Sequence, residues 1–140
     1  MQQSKIYLLI MASLSLVILV PSRATGDDSK MEQIQKESVP QHLYKIISTE
    51  DWKKSQSQNN VELSSKDDEV FIHLSKDDQL DRIIGKYWSE KSEYVVLKID
   101  TSQLNGRLVY EGNPGGINKY YHLYNGSIPL KAVVEAKLCN

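Results

Sequence analysis

From residue 43 onward the chain is written in short apolar runs: Leu43 to Ile47, Val70 to Ser75, Tyr94 to Ile99, Leu108 to Glu111, Tyr120 to Tyr124 and Val134 to Leu138. Each spans four to six residues, too few for an ordinary helix, and turn-forming residues such as Asn105-Gly106 and Gly112-Asn113-Pro114-Gly115-Gly116 lie between them. Strands therefore dominate. Only one stretch carries a clear helical period, with Leu80, Ile83, Ile84, Tyr87 and Trp88 at i, i+3, i+4, i+7 and i+8. Ser75-Lys76-Asp77-Asp78 caps it, acids sit in its first turn and lysines near its end, and its apolar face is expected to pack on a sheet as core. Ser48 followed by Asp51 predicts a shorter helix through Trp52. Ser55 to Ser65 reads as a connector, and Pro129 to Val133 as one helical turn. The result is a compact α+β domain with two main helices in its first half.

Ile6 to Val20 is an apolar run broken by two serines, with Lys5 before it and Pro21-Ser22-Arg23-Ala24 after it. That is the order of a secretory signal, predicting cleavage after Ala24, a secreted or extracytoplasmic location and no membrane attachment afterwards. About 15 apolar residues fall short of the roughly 20 that span a bilayer. Residues 25–41 form a polar linker, leaving residues 42–140 as a single domain. Removing Lys5 and Arg23 with the signal leaves 15 basic and 18 acidic residues, a formal charge of −3, which offers no nucleic-acid footprint. Cys139 is the only cysteine, so no internal disulfide framework exists. It reads as a frayed terminal thiol, with pairing between chains as the other reading.

Two histidines sit inside strand-like runs, His73 in Phe71-Ile72-His73-Leu74-Ser75 and His122 in Tyr120-Tyr121-His122-Leu123-Tyr124. A polar ring in such a run needs a partner or a ligand. Alternation puts Phe71, His73 and Ser75 on one side of their strand, with Val70, Ile72 and Leu74 turned to the helix layer. His122 and Tyr124 likewise share a face opposite Tyr121 and Leu123. Glu111 ends a strand before the glycine-rich loop, and Tyr44 and Lys45 lie on the first strand, one facing a cleft and the other the core. The glycine-rich loop lacks the ending of a phosphate-binding loop, and His42, His73 and His122 are too scattered for a metal site. Asn125-Gly126-Ser127 is a glycosylation sequon, whose occupancy the sequence leaves open.

These landmarks resemble the DUF952 family from Leu43 to about Leu138. The resemblance rests on Leu43-Tyr44-Lys45-Ile46 before Trp52, on Phe71 to Ser75, on Leu97-Lys98-Ile99-Asp100, on Tyr110-Glu111 with Gly115-Gly116, and on His122-Leu123-Tyr124 with Pro129-Leu130 and Ala132-Val133. Two positions depart from the usual pattern, Val70 and Asn125 standing where members often carry glycine, so the loop expected after Tyr124 differs by one residue. The resemblance implies an ADP-ribosyltransferase-like fold, a mixed or antiparallel split sheet around a cleft. It also implies NAD or an ADP-ribose-like nucleotide as ligand, with NAD a substrate rather than a bound cofactor. In that setting Glu111 would hydrogen-bond the nicotinamide ribose and stabilise the charge that develops as nicotinamide leaves, with His73 as its catalytic companion. His73, Ser75, His122, Tyr124, Tyr44 and Lys45 would contact the ligand.

For each residue a structural role stays open beside the functional one: a backbone bond for His73, a solvated strand end for Glu111, a satisfied core aromatic for Tyr124. Two functions follow. One is a secreted nucleotide-binding domain with transferase-type chemistry; the other is a non-catalytic secreted module that retains the fold and meets a protein partner the sequence does not identify.

Overall fold

The computed structural model describes residues 38–140; the predicted signal and most of the polar linker lie outside the described residues. The elements in order are β1 (His42–Ile47), α1 (Thr49–Ser55), β2 (Phe71–Leu74), α2 (Leu80–Ile83), β3 (Tyr94–Asp100), β4 (Asn105–Gly112), β5 (Lys119–Ser127) and β6 (Val133–Cys139). Single 3₁₀ turns cover Lys66–Asp68, Thr101–Gln103 and Leu130–Ala132. The strands form two three-stranded sheets, ordered β1-β3-β6 and β2-β5-β4. Every registered pair is antiparallel, so the mixed alternative is set aside in favour of the antiparallel one. The fold is α+β. The two sheets touch through one isolated backbone bridge, in which the Tyr44 amide donates to the Ser75 carbonyl at 2.8 Å and the Ser75 amide to the Tyr44 carbonyl at 2.9 Å.

The core lies between the sheets. Leu43, Ile47, Val95, Leu97 and Ile99 face inward from the first sheet, and Ile72, Leu74, Tyr121 and Leu123 from the second, all at most 7% exposed. Ile72 and Leu74 thus turn toward the opposing sheet rather than a helix layer, while Val70 precedes β2 and is 76% exposed. β3 is central in its sheet, as its apolar run predicts, but buries only Val95, Leu97 and Ile99, every second residue. An antiparallel sheet covered on one face needs no more.

The first helix follows its sequence signals: the Asp51 amide donates to Ser48 Oγ at 3.0 Å. Asp51 is buried, accepts a 2.8 Å bond from Ser64 Oγ, and so ties the connector to α1. The second helix departs from expectation. A 3₁₀ turn (Asp77–Gln79) leads into α2, and a π-helical turn (Ile84–Trp88) follows it. Its cap falls at Lys76 rather than Ser75, the Lys76 amide donating to Gln79 Oε1 at 2.9 Å. None of its residues is buried, so the amphipathic face is not core; the widened turn instead directs Tyr87 and Trp88 toward a cleft.

Two further expectations change. No loop follows Tyr124: β5 continues to Ser127 through a register shift against Asn105 and Arg107. The backbones meet there so closely that a Cβ on Gly126 would lie 1.9 Å from the Asn105 carbonyl oxygen. Gly106, at φ 111°, and Asn125, at φ 49°, supply the left-handed backbone this crossing requires. Cys139 is not frayed, since it pairs with Tyr94 at the end of β6.

Candidate functional site

Where the sheets part beside the Tyr44–Ser75 bridge, a cleft of about 660 Å³ opens between β1, β2, the turn before β2 and the second helix. Its volume suits a small organic ligand. Phe71, Tyr87, Trp88 and Tyr120 bring aromatic rings to it, and Lys45, Lys91, Asp67, Asp68 and His73 bring charge and hydrogen-bonding capacity. Trp88 also stacks at a tilt on Tyr94, with centroids 5.7 Å apart, which anchors the helical wall to β3.

The ionic centre of the cleft is Asp68, which closes the turn after Ser65. Lys45 donates to both of its carboxylate oxygens, at 2.6 and 2.7 Å. The His73 amide donates to Oδ1 at 3.0 Å, and His73 Nδ1 lies 3.3 Å from the same oxygen. The side chains of Lys45 and Asp68 are 10% and 5% exposed; that of His73 is 33% exposed, so it forms the accessible end of the chain. Burial pushes the Asp68 carboxyl up, but the bonds from His73 and the Lys45 ammonium together outweigh it and hold the group below the usual carboxylate range. Burial lowers Lys45, and the Asp68 charge only partly restores it. The Ser65 hydroxyl accepts from the Asp67 amide at 3.3 Å and starts the turn that presents Asp68.

A second polar group lies on the outer face of the β2-β5-β4 sheet. His73 pairs with His122 across β2 and β5, and Phe71 with Tyr124. Phe71 stacks on His122 at 4.1 Å and touches His73 and Tyr124 at 4.9 and 5.1 Å between centroids. His122 is 1% exposed, with Nδ1 3.1 Å from Glu111 Oε1 and Nε2 2.9 Å from Asn113 Oδ1. The Tyr124 hydroxyl donates to the same Glu111 oxygen at 2.5 Å. These bonds, from Tyr124 first and then His122, hold Glu111 below the ordinary carboxylate range, and Glu111 in turn raises the Tyr124 phenol.

The structure sorts the predicted residues accordingly. His73, Ser75 and Lys45 line the cleft. Lys45 shares the strand face of Leu43 and Ile47, and Asp68 already occupies its ammonium, which changes the expected free phosphate ligand into half of an ion pair. Tyr44 joins the sheets by its backbone and is not among the cleft-lining residues. His122, Tyr124 and Glu111 satisfy one another behind Phe71 and also lie outside the cleft lining. Asn125 is exposed on β5. Sequence reading missed Asp68, Tyr87, Trp88 and Lys91. The available signal for Asp68 was the Ser65-Lys66-Asp67-Asp68 capping pattern five residues before His73. Among the described residues no three His, Cys, Asp or Glu side chains gather as a metal-binding group, and no helix is long and apolar enough to cross a membrane.

The fold and site thus define a two-sheet α+β domain whose sheets part over an aromatic, ion-paired cleft. Residues 46–136 match the family described as Protein of unknown function (DUF952), and the chain belongs to that family. Solved structures of protein CC0527 from Caulobacter crescentus are similar to it. The crystal structure is 25% identical with a TM-score of 0.60, covering 71% of this chain and 86% of that one. The crystal structure of a double-mutant form is 26% identical with a TM-score of 0.61 over the same shares. The solution structure is 27% identical with a TM-score of 0.59, over 70% and 84%. No curated protein matches the sequence.

Proposed function

We propose that the cleft binds a nucleoside-containing ligand of the NAD or ADP-ribose class. The observation that carries this reading is the convergence of flat aromatic walls and polar groups on one cleft. Phe71, Tyr87, Trp88 and Tyr120 offer faces for a heterocycle, Asp67 accepts from ribose hydroxyls, and Lys91 and His73 meet a phosphate or carbonyl. The relation to ADP-ribosyltransferases belongs to the same proposal, supported by two antiparallel sheets that part over a cleft. So does export of the chain, supported by the apolar run before Ala24 and tested by N-terminal sequencing of protein recovered outside the cell.

The alternative, a non-catalytic binding module, is favoured by one observation: Glu111, the acid expected to act on the nicotinamide ribose, has its Oε1 engaged by Tyr124 and His122 outside the cleft lining. Titration of the protein with NAD, ADP-ribose and nicotinamide, following amide NMR shifts and free nicotinamide in the same samples, decides between them. Saturable shifts at His73, Tyr87 and Trp88, weakened in Trp88→Ala, support the nucleotide reading. Nicotinamide release that depends on Glu111 supports the transferase over the module. A folded protein without shifts at millimolar ligand refutes the nucleotide reading.

A further inference from the structure

We propose that Asp68 and His73 form a proton-transfer dyad, in which Asp68 orients the imidazole through Nδ1 and leaves Nε2 as the base presented to a hydroxyl group of a ligand in the cleft. Asp68 Oδ1 is 3.3 Å from His73 Nδ1, and the same oxygen is fixed by the His73 amide at 3.0 Å and by Lys45 at 2.6 Å. A carboxylate held from several sides is a rigid acceptor that selects the Nδ1–H tautomer, and an uncomplexed site often shows this bond somewhat long. Among the described residues no hydrogen-bond partner reaches His73 Nε2, the side chain keeps one-third of its surface, and His73 lines the cleft. His122 is the contrast within the same fold, since both of its ring nitrogens have partners and its ring is buried. Both histidines thus meet a carboxylate at Nδ1, but at His122 Asn113 occupies Nε2, whereas at His73 that nitrogen is left for a ligand.

The step is one proton transfer. The ligand's O–H bond breaks with its electron pair left on oxygen, an N–H bond forms at Nε2, and the imidazolium charge falls against the Asp68 carboxylate. Lys45 keeps that carboxylate ionised and in place. Asp68 and Lys45 are positioning residues, and His73 is the group that meets the ligand. The hydroxyl-bearing substrate class rests on the nucleoside reading above, whereas the dyad is testable without any nucleotide.

Nitrogen-15 NMR of the imidazoles reads the tautomer directly: the dyad requires Nδ1–H with an unprotonated Nε2 when His73 is neutral. An Nε2–H tautomer overturns it. Diethyl pyrocarbonate, followed by mass spectrometry at each histidine, reads the exposed base. His73 is expected to react and His122 to stay protected, and Asp68→Asn, which removes the charge that holds the ring with Nε2 unprotonated, is expected to slow His73 several-fold. Protection of His122 in that variant reports that it has folded. If Asp68→Asn reacts by unfolding, Lys45→Met supplies the second test, because it loosens the carboxylate without removing it and is expected to give an intermediate rate. Equal His73 rates in folded wild type and folded variant overturn the dyad. ADP-ribose added to the reaction separates the two ideas: a correct tautomer without protection by ADP-ribose leaves the dyad standing and counts against the nucleotide, and protection with the wrong tautomer does the reverse.

Discussion

Replacing Asp68 by leucine strips Lys45 of both acceptors, at 2.6 and 2.7 Å, and leaves an ammonium whose side chain is 10% exposed without its bonded counter-charge. Breaking a buried pair from one side costs about 3–5 kcal/mol. Losing the acceptor of the His73 amide adds to that figure, and deprotonation of Lys45, already made easier by burial, limits it. A domain of this length has roughly 5–15 kcal/mol in total, so this one change removes a large share of its stability. Lys45→Met is milder, about 1–3 kcal/mol, because Asp68 keeps both bonds from His73. The double variant Lys45→Met, Asp68→Leu is expected to lose only about 1–2 kcal/mol, the cost of the orphaned His73 amide, since apolar replacement of a buried pair is nearly neutral. The cycle therefore predicts a coupling of about 2–7 kcal/mol, against the 0.2–1 kcal/mol of an exposed pair. Urea unfolding with unchanged slopes measures it. A coupling below about 1 kcal/mol refutes the reasoning and reduces the Lys45–Asp68 contact to a surface ion pair.

Stability should also depend on pH through these two groups. Asp68 titrates lower in the folded chain than unfolded, so its contribution is present above about pH 4 and is lost as pH falls through the folded value; Asp68→Asn should flatten that acid limb in urea titrations. Lys45 is lowered by burial, so the unfolded chain binds the extra proton and stability rises with pH up to about 10.5; Lys45→Met should abolish that rise. Gly126→Ala should cost more than about 2 kcal/mol, its Cβ falling 1.9 Å from the Asn105 carbonyl oxygen, whereas Gly85→Ala, with nothing within 4 Å, should gain about 0.5–1 kcal/mol. Thermal unfolding of the two variants ranks them, and equal midpoints contradict the crossing at Gly126. Tyr124→Phe removes the leading cause of the low Glu111 titration, so that carboxyl should titrate at higher pH in carbon-13 NMR; an unmoved midpoint refutes the bond.

The strands were legible because their apolar runs are short and punctuated, and period two placed Phe71 with His73 and His122 with Tyr124 on common faces. What alternation cannot supply is the register that sets His73 opposite His122 and Phe71 opposite Tyr124. That register lays the Phe71 ring over His122 and turns an expected ligand contact into a closed aromatic and hydrogen-bonded group. Asp68 was hidden for a different reason. It stands in the polar residues between the Ser55–Ser65 connector and β2, and its partner Lys45 is 23 residues earlier on another sheet. The helix from Asp77 to Trp88 was recognised by its spacing, but an apolar face looks the same whether it meets a core or lines a cleft.

The position of the Lys45–Asp68 pair bears on why the sheets part where they do. Along β1, Leu43 and Ile47 both enter the core and Lys45 lies between them on the same face, so the inner row of the first sheet is interrupted by one charge. Burying that charge would be unfavourable unless an acid reached it, and the turn at Lys66–Asp68 brings Asp68 there. The same carboxylate then binds the His73 amide within β2, which holds β2 beside β1, where the ladder contact between them is at Tyr44 and Ser75. Hydrophobic residues in place of both Lys45 and Asp68 would close the inner row at little cost, whereas one at Lys45 alone strands the Asp68 carboxylate. The ion pair instead keeps a polar, partly open seam with His73 at its accessible edge, the arrangement expected where a fold gives up some packing to hold a binding site.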